Sequence, residues 1–220
     1  MFDTLIPKIF HRTIPLNPSD EMEKYWSDFQ SMHPGWEFMS WDEPVDPGDF
    51  PISGHLFDQC QNGAQKAGLI RLEAIYAYGG VYVDSDVRPV RPFNNLLYLP
   101  AFAAWEDEKV IPDAVLGGAK GHPLFGDMLH AAMGIVLGGG GAWESGPGIT
   151  TFFMSQADDA LVFPPGAFYP HHYLEKAFAG TRNNLPWVIC EHMWHGSWVS
   201  DRVREYIENN QKKPGTKFLH

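Results

Sequence analysis

The sequence has 220 residues, of which 44% are hydrophobic and 14% aromatic, and this is enough for one folded domain with a substantial core. Its formal net charge of -11 excludes the broad basic footprint with which proteins bind nucleic acid or anionic lipid. The two cysteines, Cys60 and Cys190, are too few for a disulfide scaffold, so we expect two unpaired thiols.

No segment of the sequence reaches the ~18–20 consecutive apolar residues of a membrane-spanning helix. Residues 1–10 also lack the basic start and long apolar run of a signal peptide. We therefore expect a cytoplasmic protein without a transmembrane segment. No repeat or linker divides the chain, so we expect a single domain over residues 1–211 and a flexible tail over residues 212–220.

Predicted strands and helices alternate along the chain, a pattern typical of an α/β fold with a mainly parallel sheet. The predicted strands are Leu5 to Phe10, Trp36 to Trp41, Val81 to Val83, Ala101 to Trp105 and part of Val110 to Gly118. The predicted helices are Glu21 to Met32, a run from Leu69 to Tyr78, Pro123 to Val136, Ile149 to Gln156 and Ser200 to Gln211.

The first predicted strand leads directly into His11 and Arg12. A histidine at the end of a strand is a candidate for a nucleotide base or ribose pocket, and a structural histidine is the alternative. Three later segments carry weaker signals. The glycine run 138–141 is a linker or a lid, and residues 106–108 are a solvated acidic loop or a contact for the acceptor. His171-His172 is a surface loop or a second metal site.

The most informative stretch runs from Leu69 to Pro92. An apolar helix ends at Gly79-Gly80, a short β-prone run follows, and two carboxylates then flank a serine in Asp84-Ser85-Asp86. In an extended segment, residues two apart point the same way, so both carboxylates can face one ion. Oxygen ligands of this kind suit Mg²⁺ or Mn²⁺ holding a phosphorylated substrate, and a solvated turn is the alternative.

The chain resembles the DXD-containing glycosyltransferases of family 32, relatives of the fungal initiating mannosyltransferases and, more distantly, of the glucosylating clostridial toxins. The resemblance rests on short motifs that occur in the family's order across nearly the full length. They are Ile6 to His11, Pro34 to Glu37 with Trp41-Asp42, Arg71 with Tyr78 to Asp86, Ala114 to Pro123 with Gly146-Pro147, and His192 to Trp198.

The resemblance implies a GT-A fold, a Rossmann-like sheet that binds a nucleotide sugar together with Mn²⁺ or Mg²⁺. It implies that Asp86 is a direct metal ligand, that Asp84 contacts the metal or the ribose, and that His192 completes the metal site or touches the diphosphate. Ser197 and Trp198 would lie near the phosphates.

The resemblance also places Arg71 beside the donor sugar, where its forked donors suit sugar hydroxyls or phosphate. An ion pair on the helix surface, with Glu73 or another acid, is the alternative for this arginine. Two departures from the family pattern lie near it: Gly68 stands where relatives carry an aspartate, and Asp113 where they commonly carry an asparagine. The predicted catalytic set is Arg71, Asp84, Asp86 and Asp113.

The function predicted from these residues is metal-dependent, retaining transfer of a hexose to a hydroxyl-bearing acceptor. We expect a UDP-sugar donor, with GDP-mannose as the other candidate. A glycoside hydrolase fits less well, because its two carboxylates flank a sugar roughly 5–10 Å apart. A sugar-nucleotide hydrolase and a non-catalytic binding module stay open, since Gly68 removes a carboxylate that relatives have.

Overall fold

The computed structural model describes residues 4–195 and 201–211. Its strands are β1 (Ile9–Ile14), β2 (Glu37–Asp42), β3 (Gly80–Val83), β4 (Val87–Pro89), β5 (Ala101–Ala104), β6 (Val115–Gly118), β7 (Ala160–Phe163) and β8 (Cys190–His192). Its helices are α1 (Asp20–Met32), α2 (Gly63–Tyr78), α3 (Pro123–Leu137), α4 (Ile149–Met154) and α5 (Asp201–Asn209).

Six strands form the central sheet in the order β2-β1-β3-β6-β5-β7. Strand β6 runs antiparallel to both of its neighbours, and the remaining strands share one direction. The predicted mainly parallel sheet is therefore confirmed. Helices α2, α3 and α4 cover one face, while α1 and a small two-stranded sheet of β4 and β8 cover the other.

Strand β3 lies in the middle of this sheet, and its side chains alternate between the two cores. Tyr82 packs with α2 and α3, while Val81 and Val83 pack on the side of α1. The turn into this strand depends on Gly79, which has a φ of +69°. A Cβ there would lie 2.7 Å from the Lys120 nitrogen, so a larger residue does not fit.

Strand β1 corrects a prediction made from the sequence. It spans Ile9–Ile14, so His11 and Arg12 lie inside the strand and not at its end. Both polar side chains are buried because each has a partner in the interior. The Arg12 guanidinium packs 4.6 Å from the Trp26 ring centroid and donates to Ser40 at 2.9 Å, and His11 contacts the Gly79 carbonyl. Parallel pairing with β2 along its whole length sets this register.

The predicted helices α1 and α3 are confirmed almost residue for residue, and the Ser19 hydroxyl caps α1. The glycine run after α3 is held by hydrogen bonds from the start of α2. The Gln61 amide donates to the Gly139 carbonyl at 2.9 Å, and the Gln65 amide donates to the Gly140 carbonyl at 2.8 Å. Movement of this run as a lid stays a prediction.

Neither cysteine forms a disulfide, as expected, and Cys190 is buried. Among residues 4–195 and 201–211, no helix is long and apolar enough to cross a membrane. The division into one domain and a tail stays a prediction, and residues 212–220 lie outside the described part of the chain.

Candidate active site

Two strand ends meet at the edge of the sheet where the predicted acidic motif lies. Strand β3 ends at Val83, and β6, which runs the other way, begins at Val115. The Asp84 backbone N–H donates to the Ala114 carbonyl at 2.8 Å and joins the two ends. Asp84 and Asp113 therefore lie side by side at the carboxyl edge of the sheet, where open α/β sheets bind their ligands.

Asp84, Asp86 and His192 form a cluster with metal-binding geometry. One carboxylate oxygen from each aspartate and one ring nitrogen of the histidine all lie within 4.8 Å of one another. Pairing of β4 with β8 places Val87 opposite His192 and so brings the histidine to the acidic motif from more than 100 residues away. Within residues 4–195 and 201–211 no other group of this kind is present.

The chain around His192 wraps the Asp86 carboxylate. His192 Nε2 lies 3.1 Å from Asp86 Oδ1, and the His195 backbone N–H donates to Asp86 Oδ2 at 2.9 Å. Trp194 between them has a φ of 57°, a left-handed conformation that is uncommon for a tryptophan. This turn of the backbone delivers the His195 N–H to the carboxylate, and such strain is often found at functional sites.

Opposite charges set the pKa values of this pair. Burial alone raises the pKa of Asp86, but the neighbouring His192 and the His195 N–H outweigh it and hold the pKa well below its usual range. Burial lowers the pKa of His192, and the Asp86 carboxylate outweighs this and raises it. Asp86 and His192 therefore stabilise each other's charged forms.

The donor set fits a divalent cation. Hard carboxylate oxygens with one imidazole nitrogen suit Mn²⁺, and the carboxylates alone suit Mg²⁺. His192 Nδ1 is buried and has no hydrogen-bond partner among the described residues, so this ring is not fully used by the fold. The Asp84 side chain is 27% exposed, against 12% for Asp86, so the cluster opens to solvent on the Asp84 side.

Arg71 lies next to this cluster, between two carboxylates. Its guanidinium contacts Asp84 Oδ1 and Asp113 Oδ2, each at 3.1 Å, and packs 4.6 Å from the Tyr82 ring centroid. Arg71 thus forms ion pairs with acids other than Glu73, and it does so in the interior and not on the helix surface. The Glu73 carboxylate accepts hydrogen bonds from Ile52 and Ser53 instead. Arg71 is thus a buried charge that faces the acidic edge of the sheet.

Charge and burial act against each other here as well. Burial lowers the pKa of Arg71, but Asp113 and Asp84 outweigh it and leave the pKa raised. Burial raises the pKa of Asp84 to about 6, with the charges of Asp86 and Asp113 acting the same way and Arg71 opposing them. Three carboxylates, those of Asp84, Asp86 and Asp113, therefore lie near one arginine, which does not neutralise all of their charge.

The two departures from the family pattern are close neighbours in space. A Cβ added to Gly68 would have the Ser145 carbonyl, at 3.9 Å, as its nearest contact, and a Cβ on Gly146 would lie 2.8 Å from Asp113 Oδ2. Ser145 and Gly146 belong to a π-helical turn, Glu144–Gly148, that leads into α4. Such turns are frequent at functional sites. The missing and the added carboxylate thus border the same turn.

Several predicted residues do not join the cluster. His11 is fully buried, with its ring nitrogen Nε2 2.8 Å from the Gly79 carbonyl and its ring stacked 6.2 Å from Trp41. Burial lowers its pKa to about 4, although the bond to Gly79 acts the other way. This placement supports the structural alternative, and a base or ribose contact by His11 stays a prediction. Ser197 and Trp198 lie outside the described residues.

Two loop predictions are wrong. Glu106 does not lie in a solvated loop, since its side chain is 10% exposed and pairs with His172 at 3.1 Å. His171 does not lie on the surface, since its ring is 1% exposed and contacts Glu191 at 3.0 Å. The partners are far along the chain in each case, and a local sequence pattern gives no sign of them.

Three participants were not anticipated from the sequence. The Tyr82 hydroxyl donates to Asp84 at 2.9 Å and also contacts the Thr13 hydroxyl at 2.8 Å. Tyr169 packs its ring 6.0 Å from His192. For Tyr82 the period of two in strand β3 was a usable signal, because it puts the tyrosine on the same side as Asp84. No motif marks Tyr169.

Comparison with known proteins adds three likenesses. Residues 19–103 match the family model described as "Glycosyltransferase sugar-binding region containing DXD motif". The chain is 33% identical over 127 residues to inositol phosphoceramide mannosyltransferase 3 of Schizosaccharomyces pombe, covering 54% of this chain and 35% of that relative. It is 26% identical over 129 residues to mannosyl phosphorylinositol ceramide synthase SUR1 of Saccharomyces cerevisiae, covering 55% and 33%.

The chain thus spans about a third of the length of these curated relatives. Among solved structures, the protein described as PaToxG glycosyltransferase superposes with a TM-score of 0.59 and 17% sequence identity, covering 69% of this chain and 68% of that one. At that identity the likeness concerns the fold alone. Together with the mainly parallel sheet, it confirms the predicted GT-A fold.

Proposed function

We propose, on the premise that this chain carries the DXD-containing sugar-binding region of the family 32 glycosyltransferases, that it is a metal-dependent retaining glycosyltransferase. It moves a hexose from a nucleotide-diphosphate sugar to a hydroxyl-bearing acceptor. The observation that carries this proposal is that Asp84 belongs to two sites at once. It lies in the metal-binding cluster with Asp86 and His192, and it pairs with Arg71.

The cluster and Arg71 would bind different parts of the donor. Asp84, Asp86 and His192 would hold Mn²⁺ or Mg²⁺ at the diphosphate. A divalent cation bound there stabilises the negative charge that develops on the leaving diphosphate. Arg71, kept protonated by Asp84 and Asp113, presents its guanidinium to the sugar or to the phosphate next to it.

Asp113 orients this arginine. Its carboxylate and its backbone carbonyl both accept from Arg71, so the guanidinium is fixed at two points on one side. A group held in one rotamer loses less entropy when it binds a ligand, which is the usual advantage of such pre-organisation. We therefore assign Asp113 to positioning of Arg71, and to sugar contact only through its remaining oxygen.

The donor stays a choice between UDP-sugars, expected from the sequence, and GDP-mannose. Two of the curated relatives are named as mannosyltransferases or mannosyl synthases of inositol-containing ceramides, which favours including GDP-mannose in any screen. Retention of the anomeric configuration rests on the family resemblance. The cytoplasmic location expected from the sequence also stays a prediction.

The second candidate is metal-dependent hydrolysis or binding of the donor without transfer. One observation favours it: Gly68 provides no side chain on the α2 surface that faces the π-helical turn. A site that lacks a sugar-binding carboxylate can bind the diphosphate and still position the sugar poorly. Both candidates use the same cluster, so they differ in the fate of the sugar and not in the role of the metal.

The test is release of nucleoside diphosphate from UDP-glucose, UDP-galactose and GDP-mannose, with Mn²⁺ or with EDTA. Transfer predicts release that requires Mn²⁺ and rises when a mixture of simple glycosides and polyols is added as acceptor. Release of nucleoside diphosphate that does not depend on the acceptor indicates hydrolysis. A donor that stabilises the protein without release of nucleoside diphosphate indicates binding alone. Asp86→Ala should remove all three signals, whereas Asp58→Ala, at an exposed position outside the cluster, should keep them.

A further inference from the structure

A cavity of about 270 Å³ lies beside the metal-binding cluster, between the loop that follows β5 and the segment 165–188. Neither the family motifs nor the proposed function assigns it a role. Its polar and aromatic lining comprises Glu106, Tyr169, His171, His172, Glu175, Arg182 and Trp187. The volume is at the small end for ligand pockets, so it suits a single ring and not an extended ligand.

An imidazole–carboxylate pair forms one wall of the cavity. His172 Nε2 lies 3.1 Å from Glu106 Oε1, and His172 Nδ1 accepts a hydrogen bond from the Leu174 backbone N–H at 3.2 Å. Because Nδ1 is an acceptor, the ring proton is on Nε2, which faces Glu106 Oε1, but this oxygen accepts no hydrogen bond from the described residues. The Glu106 carboxylate then retains acceptor capacity that it can offer to hydroxyl groups in the cavity.

Tyr169 connects the cavity to the metal-binding cluster. The residue is 3% exposed, and its hydroxyl has no hydrogen-bond partner among the described residues. Its ring lies 6.0 Å from the His192 ring and 5.8 Å from the Trp194 ring, so one aromatic side chain separates the two spaces. A buried hydroxyl without a partner costs free energy unless a ligand satisfies it.

The chemistry of the lining selects a neutral ligand rich in hydroxyl groups. Glu106 accepts from hydroxyls, and the indole of Trp187, which is 54% exposed, offers an apolar face for the C–H side of a ring. Arg182 is 3.3 Å from Glu175 and is paired with it, so Glu106 leaves the wall with an excess of negative charge. That charge disfavours a phosphorylated ligand.

We propose that this cavity is the acceptor subsite, which takes one neutral polyhydroxylated ring, either a sugar or a cyclitol. Glu106 and His172 bind the hydroxyls on one side of the ring and Trp187 packs on the other. Tyr169 contacts the hydroxyl nearest the donor. This inference rests on the proposed function for the reaction that the bound ring enters, and on the cavity itself for its binding.

Binding can be tested without any turnover. Methyl α-mannoside, methyl β-glucoside and myo-inositol are titrated into the ¹⁵N-labelled protein in the presence of Mn²⁺ and UDP or GDP. The indole N–H resonance of Trp187 is assigned by its disappearance in Trp187→Phe. We expect at least one of the three to shift this resonance, and glucose 6-phosphate to bind more weakly than methyl β-glucoside. If none of the three moves it, the proposal is overturned.

Two variants of the same loop link binding to the wall. Glu106→Gln should weaken binding of the titrated ring by about tenfold or more, because a charged hydrogen-bond acceptor becomes neutral. Glu108→Gln, at an exposed position two residues on, should leave it unchanged. Equal behaviour of the two variants would overturn the proposal. If Glu106→Gln does not fold, Tyr169→Phe is tested in its place. We expect the ring either to bind this variant more weakly or to shift the Trp187 resonance no longer.

Turnover separates this inference from the proposed function. Glu106→Gln should raise the acceptor KM about tenfold, and the exposed control Glu108→Gln should leave it unchanged. A lower kcat with an unchanged acceptor KM would mean that Glu106 supports the donor site, which contradicts the proposal. If no donor is turned over at all but methyl glycosides still shift Trp187, the proposed function fails and the cavity remains a sugar-binding site.

Discussion

The two faces of the small β4–β8 sheet each carry a buried acidic centre, and the pair allows a direct comparison. On one face, His192 reaches Asp86 in the metal-binding cluster. On the other, the adjacent Glu191 lies opposite Arg88 and is 1% exposed. Successive residues of a strand point to opposite faces, so residues 191 and 192 serve different sites.

The Glu191 carboxylate has four partners within the protein. In addition to Arg88, its carboxylate accepts from the Gly180 backbone N–H at 2.8 Å and from the Asn183 amide at 3.0 Å, and it lies 3.0 Å from His171. Burial raises the pKa of Glu191, but these bonds outweigh it and bring the pKa down to about 2. No acceptor capacity is left for a ligand.

The cluster on the other face differs in its access to solvent. The Asp84 side chain is 27% exposed, whereas the Glu191 side chain is 1% exposed. Ring nitrogens without a partner among the described residues occur in both centres, on His192 and on His171, so they do not distinguish the two. What distinguishes the two centres is that a ligand can reach a carboxylate in only one of them.

The largest effect is expected for Asp86→Asn, which removes a metal ligand and keeps the shape of the side chain. We expect Mn²⁺-dependent binding of UDP or GDP to fall about 100-fold or more, because the two remaining ligands do not hold a divalent cation. Titration calorimetry with and without Mn²⁺ measures it, and Asp58→Asn is the matched exposed control. Retained metal-dependent binding would remove Asp86 from the metal site.

The converse variant is Glu191→Gln on the structural face. It leaves the Arg88 guanidinium beside a neutral amide, and breaking a buried ion pair in this way costs about 3 kcal/mol of unfolding free energy. Metal-dependent nucleotide affinity of the folded protein should not change. Urea unfolding and calorimetry on the same sample check both statements. A stable variant that has lost metal affinity would show that the two faces are one functional unit.

The contrast also explains which parts were predictable from sequence. Asp84 and Asp86 follow a hydrophobic strand within the same short segment, so spacing alone paired them. His192 was connected to them by family motifs, because its approach depends on a strand pairing more than 100 residues away. The roles of Glu106 and His171 were missed for the same reason: polar residues in loops look solvated until their distant partners are known.

His11 shows a further limit, since its neighbours in sequence suggested the end of a strand. Its buried ring predicts a pH effect on stability and none on nucleotide binding. The pKa is about 4 in the folded protein and 6.5 in the unfolded chain, so the unfolded state binds the proton more tightly between these values. This contribution to stability is present above pH 6.5 and is lost as the pH falls toward 4.

The expected loss attributable to His11 is about 2 kcal/mol between about pH 7.5 and pH 5. His11→Gln keeps an N–H that can donate to the Gly79 carbonyl and has no group to titrate, so its stability should vary less over this range. His55→Gln, at an exposed histidine, is the control. Unfolding curves at several pH values give the result. A drop in nucleotide affinity in His11→Gln would restore the binding role.

The smallest effect is expected at Gly68, where the sequence resemblance predicts an aspartate. An added Cβ meets only the Ser145 carbonyl at 3.9 Å, so Gly68→Asp fits, and its carboxylate lies one helical turn before Arg71. There it competes with Asp113 for the guanidinium and adds an acceptor for sugar hydroxyls. We expect the ratio of kcat/KM values among UDP-glucose, UDP-galactose and GDP-mannose to shift about threefold or more.

Gly68→Ala is the control for the effect of losing a glycine within the helix. It should raise stability by about 0.5–1 kcal/mol and leave the ratio of kcat/KM values among the donors unchanged. If Asp and Ala give the same ratio, the donor is chosen elsewhere, and the acidic edge formed by Asp84 and Asp113 is the region to change next.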